Sequence, residues 1–114
     1  MESQPPYKEV TYGEKTAFDQ FLDWEGIPVT RNFVVSDVRK LEVAPWKRRG
    51  GYGCYIILGH PKDPPSSAAY ICEIPPGESI KPQKQMFEEM IYVLKGRGAT
   101  TVWPGGGKKQ TFEW

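Results

Sequence analysis

Residues 77–96 read GESIKPQKQMFEEMIYVLKG, and they are the most informative segment of this chain. The polar residues within it follow the spacing G-x5-Q-x-Q-x3-E-x6-G. Side chains two positions apart on a strand point to the same face, so even intervals bring side chains together. Gln83, Gln85 and Glu89 are separated by even intervals. In an extended strand without a bulge, these three side chains are therefore expected to converge in one pocket.

This spacing resembles the first motif of the cupin superfamily, G-x5-H-x-H-x3,4-E-x6-G. Gln83 and Gln85 stand where that motif carries two metal-binding histidines, and Glu89 stands at the position of its glutamate. The resemblance is closest over residues 77–96, and weaker likeness to a group of bacterial cupins extends over residues 68–114. It implies an all-β fold, a cupin-type jelly roll or double-stranded β-helix.

The resemblance places a degenerate metal site at Gln83, Gln85 and Glu89. Cupin sites with both histidines suit manganese, iron, nickel or zinc, whereas a glutamine amide oxygen is a much poorer donor to these metals. The second cupin motif, G-x5-P-x-G-x2-H-x3-N, has no counterpart after Gly96, and the single histidine, His60, lies in a proline-rich loop. The sequence therefore favours no tightly bound metal, with a divalent Mn, Fe, Ni or Zn ion as the alternative. Glu89 is either a metal ligand or a carboxylate that is hydrogen-bonded to a glutamine or a tyrosine hydroxyl.

Apolar periodicity predicts one short amphipathic helix from Glu14 to Trp24, ended by Gly26 and Pro28. Tight turns rich in glycine and proline separate apolar runs elsewhere, which is typical of many short strands in an antiparallel sheet. The predicted strands cover residues 52–58, 68–74, 87–94, 99–103 and 109–114; a short run at 29–35 and a weak alternation at 41–44 are the remaining candidates.

The domain organisation predicted from these elements has two parts. Residues 1–40 form an N-terminal arm with the short helix, and residues 41–114 form the cupin barrel domain. A jelly roll needs about eight strands, and this chain supplies five or six. We therefore expect an incomplete barrel whose other half follows Trp114; if it does not, a second copy of the chain would have to cover the open sheet edge as a homodimer.

Composition narrows the class of protein. The chain carries 15 basic and 14 acidic side chains, giving a net charge of +1, so nothing favours nucleic acid as a partner. There is no secretion signal and no run of the ~20 apolar residues that span a bilayer. Cys54 and Cys72 lie in apolar runs, so we predict that they are reduced core residues of a cytoplasmic protein.

Three functions are compatible with these observations. The first is a non-catalytic cupin barrel that binds a small molecule. The second is a fragment of a metal-dependent cupin enzyme, similar to a dioxygenase, an isomerase or a decarboxylase. The third is a carbohydrate-binding β-sandwich in which Trp46, Trp103 or Tyr52 stacks on a sugar. No nucleophile–base pair is visible, and so no catalytic residue is assigned.

Overall fold

The computed structural model describes residues 5–6, 15–60, 65 and 67–114. Over these residues the chain contains mostly strands with one short helix, which confirms the all-β class. The elements are α1 (Ala17–Glu25), β1 (Val29–Asn32), a 3-10 turn (Val38–Lys40), β2 (Ala44–Pro45), β3 (Tyr52–Leu58), β4 (Ala69–Glu73), β5 (Ala99–Val102) and β6 (Gln110–Glu113). They fall into two compact units, Met1–Lys84 and Gln85–Trp114, and neither described sheet closes into a barrel.

Helix α1 begins where the sequence supplies a cap. The Thr16 side chain accepts a hydrogen bond from the backbone N–H of Asp19, and the Asp19 carboxylate accepts one from the backbone N–H of Thr16. This reciprocal capping box satisfies two N–H groups that the helix leaves free. Gly26 ends the helix in the left-handed conformation, at φ 71°. The predicted helix is thus confirmed, with its first residue at Ala17; the predicted start at Glu14 lies outside the described residues.

Strand β3 is the centre of the sheet in the first unit. It pairs with β4 along one edge, and with β1 and β2 along the other. The pairing with β4 and β2 is antiparallel, as predicted, whereas β1 runs parallel to β3. The prediction of a purely antiparallel sheet is therefore wrong at this edge. The connection from residue 33 to residue 51 is long enough to carry the chain back to the same end of the sheet, which a parallel pair requires.

The core of the first unit lies between α1 and one face of this sheet. Trp46 is only 1% exposed and packs edge-on against Tyr55 and Tyr70, with ring centroids 5.4 Å away in both cases. The other members of the cluster are apolar side chains of the helix and strands, namely Leu22, Ile27, Ile57, Phe18, Phe21, Val29 and Cys72. The amphipathic face of α1 is therefore buried by the sheet, as its periodicity predicts.

Gly53 leaves the space that Trp46 occupies. A Cβ at residue 53 would lie 2.7 Å from Cζ3 of Trp46 and 2.8 Å from the carbonyl oxygen of Ile71. Both distances are shorter than van der Waals contact, and the carbonyl belongs to the neighbouring strand. We expect Gly53→Ala to lower the free energy of unfolding by about 1–3 kcal/mol, because overpacking displaces the indole or the strand. Urea denaturation measures this, with Gly105→Ala as the control because its Cβ would meet no atom within 4 Å; equal stability of the two variants would contradict the packing.

The second unit contains the hairpin formed by β5 and β6. Its register pairs Thr100 with Phe112 and Thr101 with Thr111, and the two threonine hydroxyls of the second pair are hydrogen-bonded at 2.8 Å. Gly98 and Trp114 exchange two backbone hydrogen bonds of 2.9 Å, which extend the ladder by one residue pair. The predicted strands at residues 99–103 and 109–114 are confirmed, each slightly shorter than expected.

Residues 87–94 do not form the predicted strand. The segment has no strand assignment, and its large apolar side chains are exposed. The exposed residues are Phe87, Met90, Ile91, Tyr92, Val93 and Leu94. The prediction was wrong because β propensity describes how well side chains fit a partly buried sheet surface, and no described strand pairs with this segment.

Cys54 and Cys72 are reduced thiols and not a disulfide, as predicted. Cys54 pairs with Ile71 and Cys72 pairs with Gly53, so the two thiols lie on opposite faces of the sheet. This geometry does not permit a disulfide between them. Burial raises the pKa of the Cys54 thiol, which keeps it protonated and unreactive.

Among the described residues, no helix has the length and apolar character needed to cross a bilayer.

Candidate functional site

A buried carboxylate, Glu25, is the centre of the polar network in the first unit. It lies at the last position of α1 and its side chain is 1% exposed. Its Oε2 accepts a hydrogen bond of 3.0 Å from the indole N–H of Trp46, and its Oε1 accepts one of 2.7 Å from the hydroxyl of Tyr55. The same Oε1 accepts hydrogen bonds from Nε and Nη2 of Arg48, at 2.9 and 2.6 Å. Glu25 therefore joins the helix, the loop after β2 and strand β3.

The loop Trp46–Gly51 holds the basic side chains of this network. The loop is closed by two backbone hydrogen bonds, from Trp46 N–H to the carbonyl of Gly51 and from Gly50 N–H to the carbonyl of Trp46. Lys81 stabilises the loop through two more hydrogen bonds. Its backbone N–H donates to the carbonyl of Arg49, and its Nζ donates to the carbonyl of Lys47. The loop is thus held in one shape by backbone contacts rather than by its side chains alone.

The electrostatics of the network keep Glu25 ionised. Burial by itself raises the pKa of a carboxylate, but here the hydrogen bonds from Arg48, Tyr55 and Trp46 outweigh burial, and the pKa of Glu25 is lowered. Burial, followed by the hydrogen bond to Glu25, raises the pKa of Tyr55, so its hydroxyl remains a proton donor. Arg48 stays charged, because its hydrogen bonds to Glu25 outweigh the effect of burial and raise its pKa.

The first predicted site residue, Gln83, is part of this network. Its amide oxygen accepts a hydrogen bond from Nη1 of Arg48, and its amide nitrogen donates to the carbonyl of Lys81 at 3.3 Å. The Arg48 guanidinium thus binds Glu25 with one edge and Gln83 with another. A side chain that the cupin resemblance assigns to a metal position is here a partner of the protein's own cation.

The other two predicted site residues, Gln85 and Glu89, lie in the second unit and contact each other. The amide nitrogen of Gln85 donates to Oε2 of Glu89 at 3.2 Å, the kind of contact that the sequence offers for Glu89 as the alternative to binding a metal. The contact does not come from the period of a strand, since the chain bends at Met86 and Phe87 between the two residues. Convergence of all three residues remains a prediction, because Gln83 belongs to the first unit.

No group of three or more His, Cys, Asp or Glu side chains that could hold a metal ion occurs in the part of the chain that the structure describes. The predicted ligand set relies on two amides and one carboxylate and so lies outside that donor class. His60 is exposed at the end of β3, in the loop where the sequence places it.

The aromatic residues proposed as a sugar-stacking platform differ in accessibility. Trp46 cannot serve, because it is buried in the core and its N–H is used by Glu25. Tyr52 is 41% exposed and Trp103 is 45% exposed. The Lys109 ammonium lies 4.7 Å from the centre of the Trp103 ring and covers one region of it. The two exposed rings belong to different units.

No protein-family model, no curated protein and no solved structure matches this chain.

Sequence reasoning missed the network around Glu25, although one signal for it was present. Glu25 follows Phe18, Phe21 and Leu22 at intervals of seven, four and three residues, and so continues the apolar stripe of the helix. A charged residue at such a position needs a buried partner. The partner itself, Arg48, is 23 residues away and could not be identified from local pattern.

Proposed function

We propose that this chain is a non-catalytic, cupin-type module that binds a small polar molecule and holds no metal ion tightly. The observation that carries the proposal is the hydrogen bond from Arg48 to Gln83, at a position where the resembling motif has a metal ligand. A guanidinium supplies a fixed positive charge there, together with hydrogen-bond donors. The Gln83 amide beside it supplies a further polar contact that orients a small ligand.

Electrostatics disfavour a divalent ion beside Gln83. A metal ion needs a lone pair of the Gln83 oxygen and would lie close to the Arg48 guanidinium, which remains charged. Two like charges within a few ångströms repel strongly in a partly buried site. Neutral amides also lack the basicity of imidazole, so little binding energy is gained to offset this repulsion.

Substitution of Gln85 tests whether the motif residues of the second unit can bind a metal. The structure brings their side chains to 3.2 Å, so Gln85→His should place an imidazole beside a carboxylate. We expect wild-type protein to show no change in melting temperature with Mn, Fe, Ni or Zn, and Gln85→His to gain a rise of a few degrees with Ni or Zn. Metal analysis of the purified proteins gives an independent measurement of the same difference.

A matched control is Gln110→His, which adds an imidazole at an exposed position of β6 in the same unit. It should gain no metal response. If Gln85→His behaves like this control, the convergence of Gln85 and Glu89 is wrong. If wild-type protein already carries stoichiometric metal, the metal-dependent enzyme is the better interpretation and our proposal fails.

A further inference from the structure

Arg49 is a buried cation that has no anionic partner among the residues described by the structure. The residue is 8% exposed, and its Nε atom has no hydrogen-bond partner among those residues. The guanidinium carbon lies 4.9 Å from the centre of the Tyr70 ring and 5.3 Å from that of Trp46. These two rings give a favourable cation–π environment, yet a ring face supplies no acceptor in the plane of the guanidinium.

The buried carboxylate of Glu25 already has hydrogen-bond donors at both oxygens. Both oxygens of Glu25 accept hydrogen bonds from Trp46, Tyr55 and Arg48. None of the ion pairs among the described residues includes Arg49. A buried charge that lacks a partner is costly, and an arginine cannot relieve the cost by losing its proton.

Positive charge accumulates around the same loop. Lys47 lies two residues before Arg49, and the Nζ atom of Lys81 is held against the carbonyl of Lys47 at 2.8 Å. Glu25 neutralises Arg48, so the excess positive charge comes from Lys47, Arg49 and Lys81. Such a cluster attracts an anion and raises its local concentration. The loop is fixed by backbone hydrogen bonds, so little ordering would be needed when an anion binds.

We propose that Arg49 anchors a binding site for a small organic carboxylate in the first unit. The planar guanidinium fork matches a carboxylate and binds it through charge-assisted hydrogen bonds. The half-buried ring of Tyr70 offers apolar contact to the organic part of such a ligand, which inorganic phosphate lacks. The inference does not depend on the proposed cupin function, because Arg49 is outside the motif of residues 77–96.

Thermal melting with simple anions tests this site. Benzoate and acetate, compared with chloride at equal ionic strength, should raise the melting temperature of the wild-type protein by a few degrees at concentrations well above Kd. Arg49→Met should lose this response, and Arg49→Lys should retain part of it, because lysine keeps the charge but not the fork. Calorimetric titration with benzoate should show at least a tenfold weaker Kd for Arg49→Met.

The control is Arg39→Met, which removes an exposed guanidinium paired with Asp37 and should keep the full response to benzoate. An equal response in Arg49→Met and wild type would overturn the proposal, and so would the lack of any response to carboxylates. A stronger response to phosphate than to benzoate would overturn the carboxylate assignment.

A carboxylate of the chain itself is the competing source of the anion. Glu2, Glu9, Glu14 and Asp63 lie outside the described residues. The variants Glu2→Gln, Glu9→Gln, Glu14→Gln and Asp63→Asn test these residues one at a time. If wild type does not respond to benzoate, and one of these variants has a lower melting temperature that benzoate raises, then that residue is the partner of Arg49 and a free ligand is excluded. If all four respond like wild type, the free carboxylate is supported.

Discussion

Glu25→Ala should destabilise the first unit by about 3–5 kcal/mol, one of the two largest effects we expect from a single substitution. The change leaves the Arg48 guanidinium partly buried without its counter-ion and removes the acceptor of the Trp46 and Tyr55 donors. The Trp46 and Tyr55 donors then lack a partner, and Arg48 keeps only the neutral Gln83 amide, in a place that water reaches poorly. Urea denaturation followed by circular dichroism measures the difference in free energy of unfolding.

Further variants distinguish the loss of the Glu25 charge from the loss of its packing. Glu42→Ala removes an exposed carboxylate of the same unit and should change stability by less than about 0.5 kcal/mol. The double variant Glu25→Leu, Arg48→Met removes both charges, and it should be clearly more stable than Glu25→Leu alone, because no unpaired ion remains. A loss below about 1 kcal/mol for Glu25→Ala would contradict the central role of this carboxylate.

The same network predicts a pH dependence with a definite sign. The pKa of Glu25 is lower in the folded protein than its ordinary value of 4.5, so folding favours the ionised form. Its contribution is therefore fully present above this ordinary value, which applies to the unfolded chain, and is lost as pH falls through the folded pKa. The stability difference between wild type and Glu25→Gln should be constant near neutral pH and should shrink below about pH 4.

Local pattern was enough to predict elements that depend on local physics. Helix α1 follows from its apolar stripe and the glycine after it, and strand β3 follows from an apolar run bounded by glycines. Strand β1 was placed correctly, but its parallel partner was not, because orientation depends on the path of the whole connection to β3. Residues 87–94 have the composition of a strand and yet lack a sheet neighbour, which a single segment cannot reveal.

In the candidate site, too, contacts between residues close in sequence could be predicted, and contacts between distant residues could not. Contact between Gln85 and Glu89 was predicted from spacing, although the chain achieves it through a bend. The partners of Glu25 and Gln83 come from a loop that is distant in sequence, and the apolar core decides which of its side chains point inward. A basic run beside two glycines is typical of a solvated turn, yet Arg49 is buried, because the open face above Gly53 admits the Trp46 indole, against which Arg49 packs.

Trp46→Ala is the second substitution with a large expected effect. It removes the largest fully buried side chain and leaves a cavity between Tyr55 and Tyr70, and it deprives Glu25 of one donor. Loss of a buried tryptophan costs about 3–5 kcal/mol when the surroundings cannot collapse, and the backbone of β3 beneath the indole is fixed by its sheet partners.

The matched variants distinguish a cavity from a lost hydrogen bond. Trp46→Phe keeps an aromatic ring but removes the N–H, so its cost should fall between wild type and Trp46→Ala, at about 1–3 kcal/mol. Trp103→Ala removes an exposed indole from the second unit and should leave the stability of the first unit unchanged. Because Arg49 packs against the Trp46 ring, Trp46→Ala should also weaken any benzoate response, whereas Trp103→Ala should not. A Trp46→Ala protein that unfolds at the same urea concentration as wild type would show that the indole is not the centre of this core.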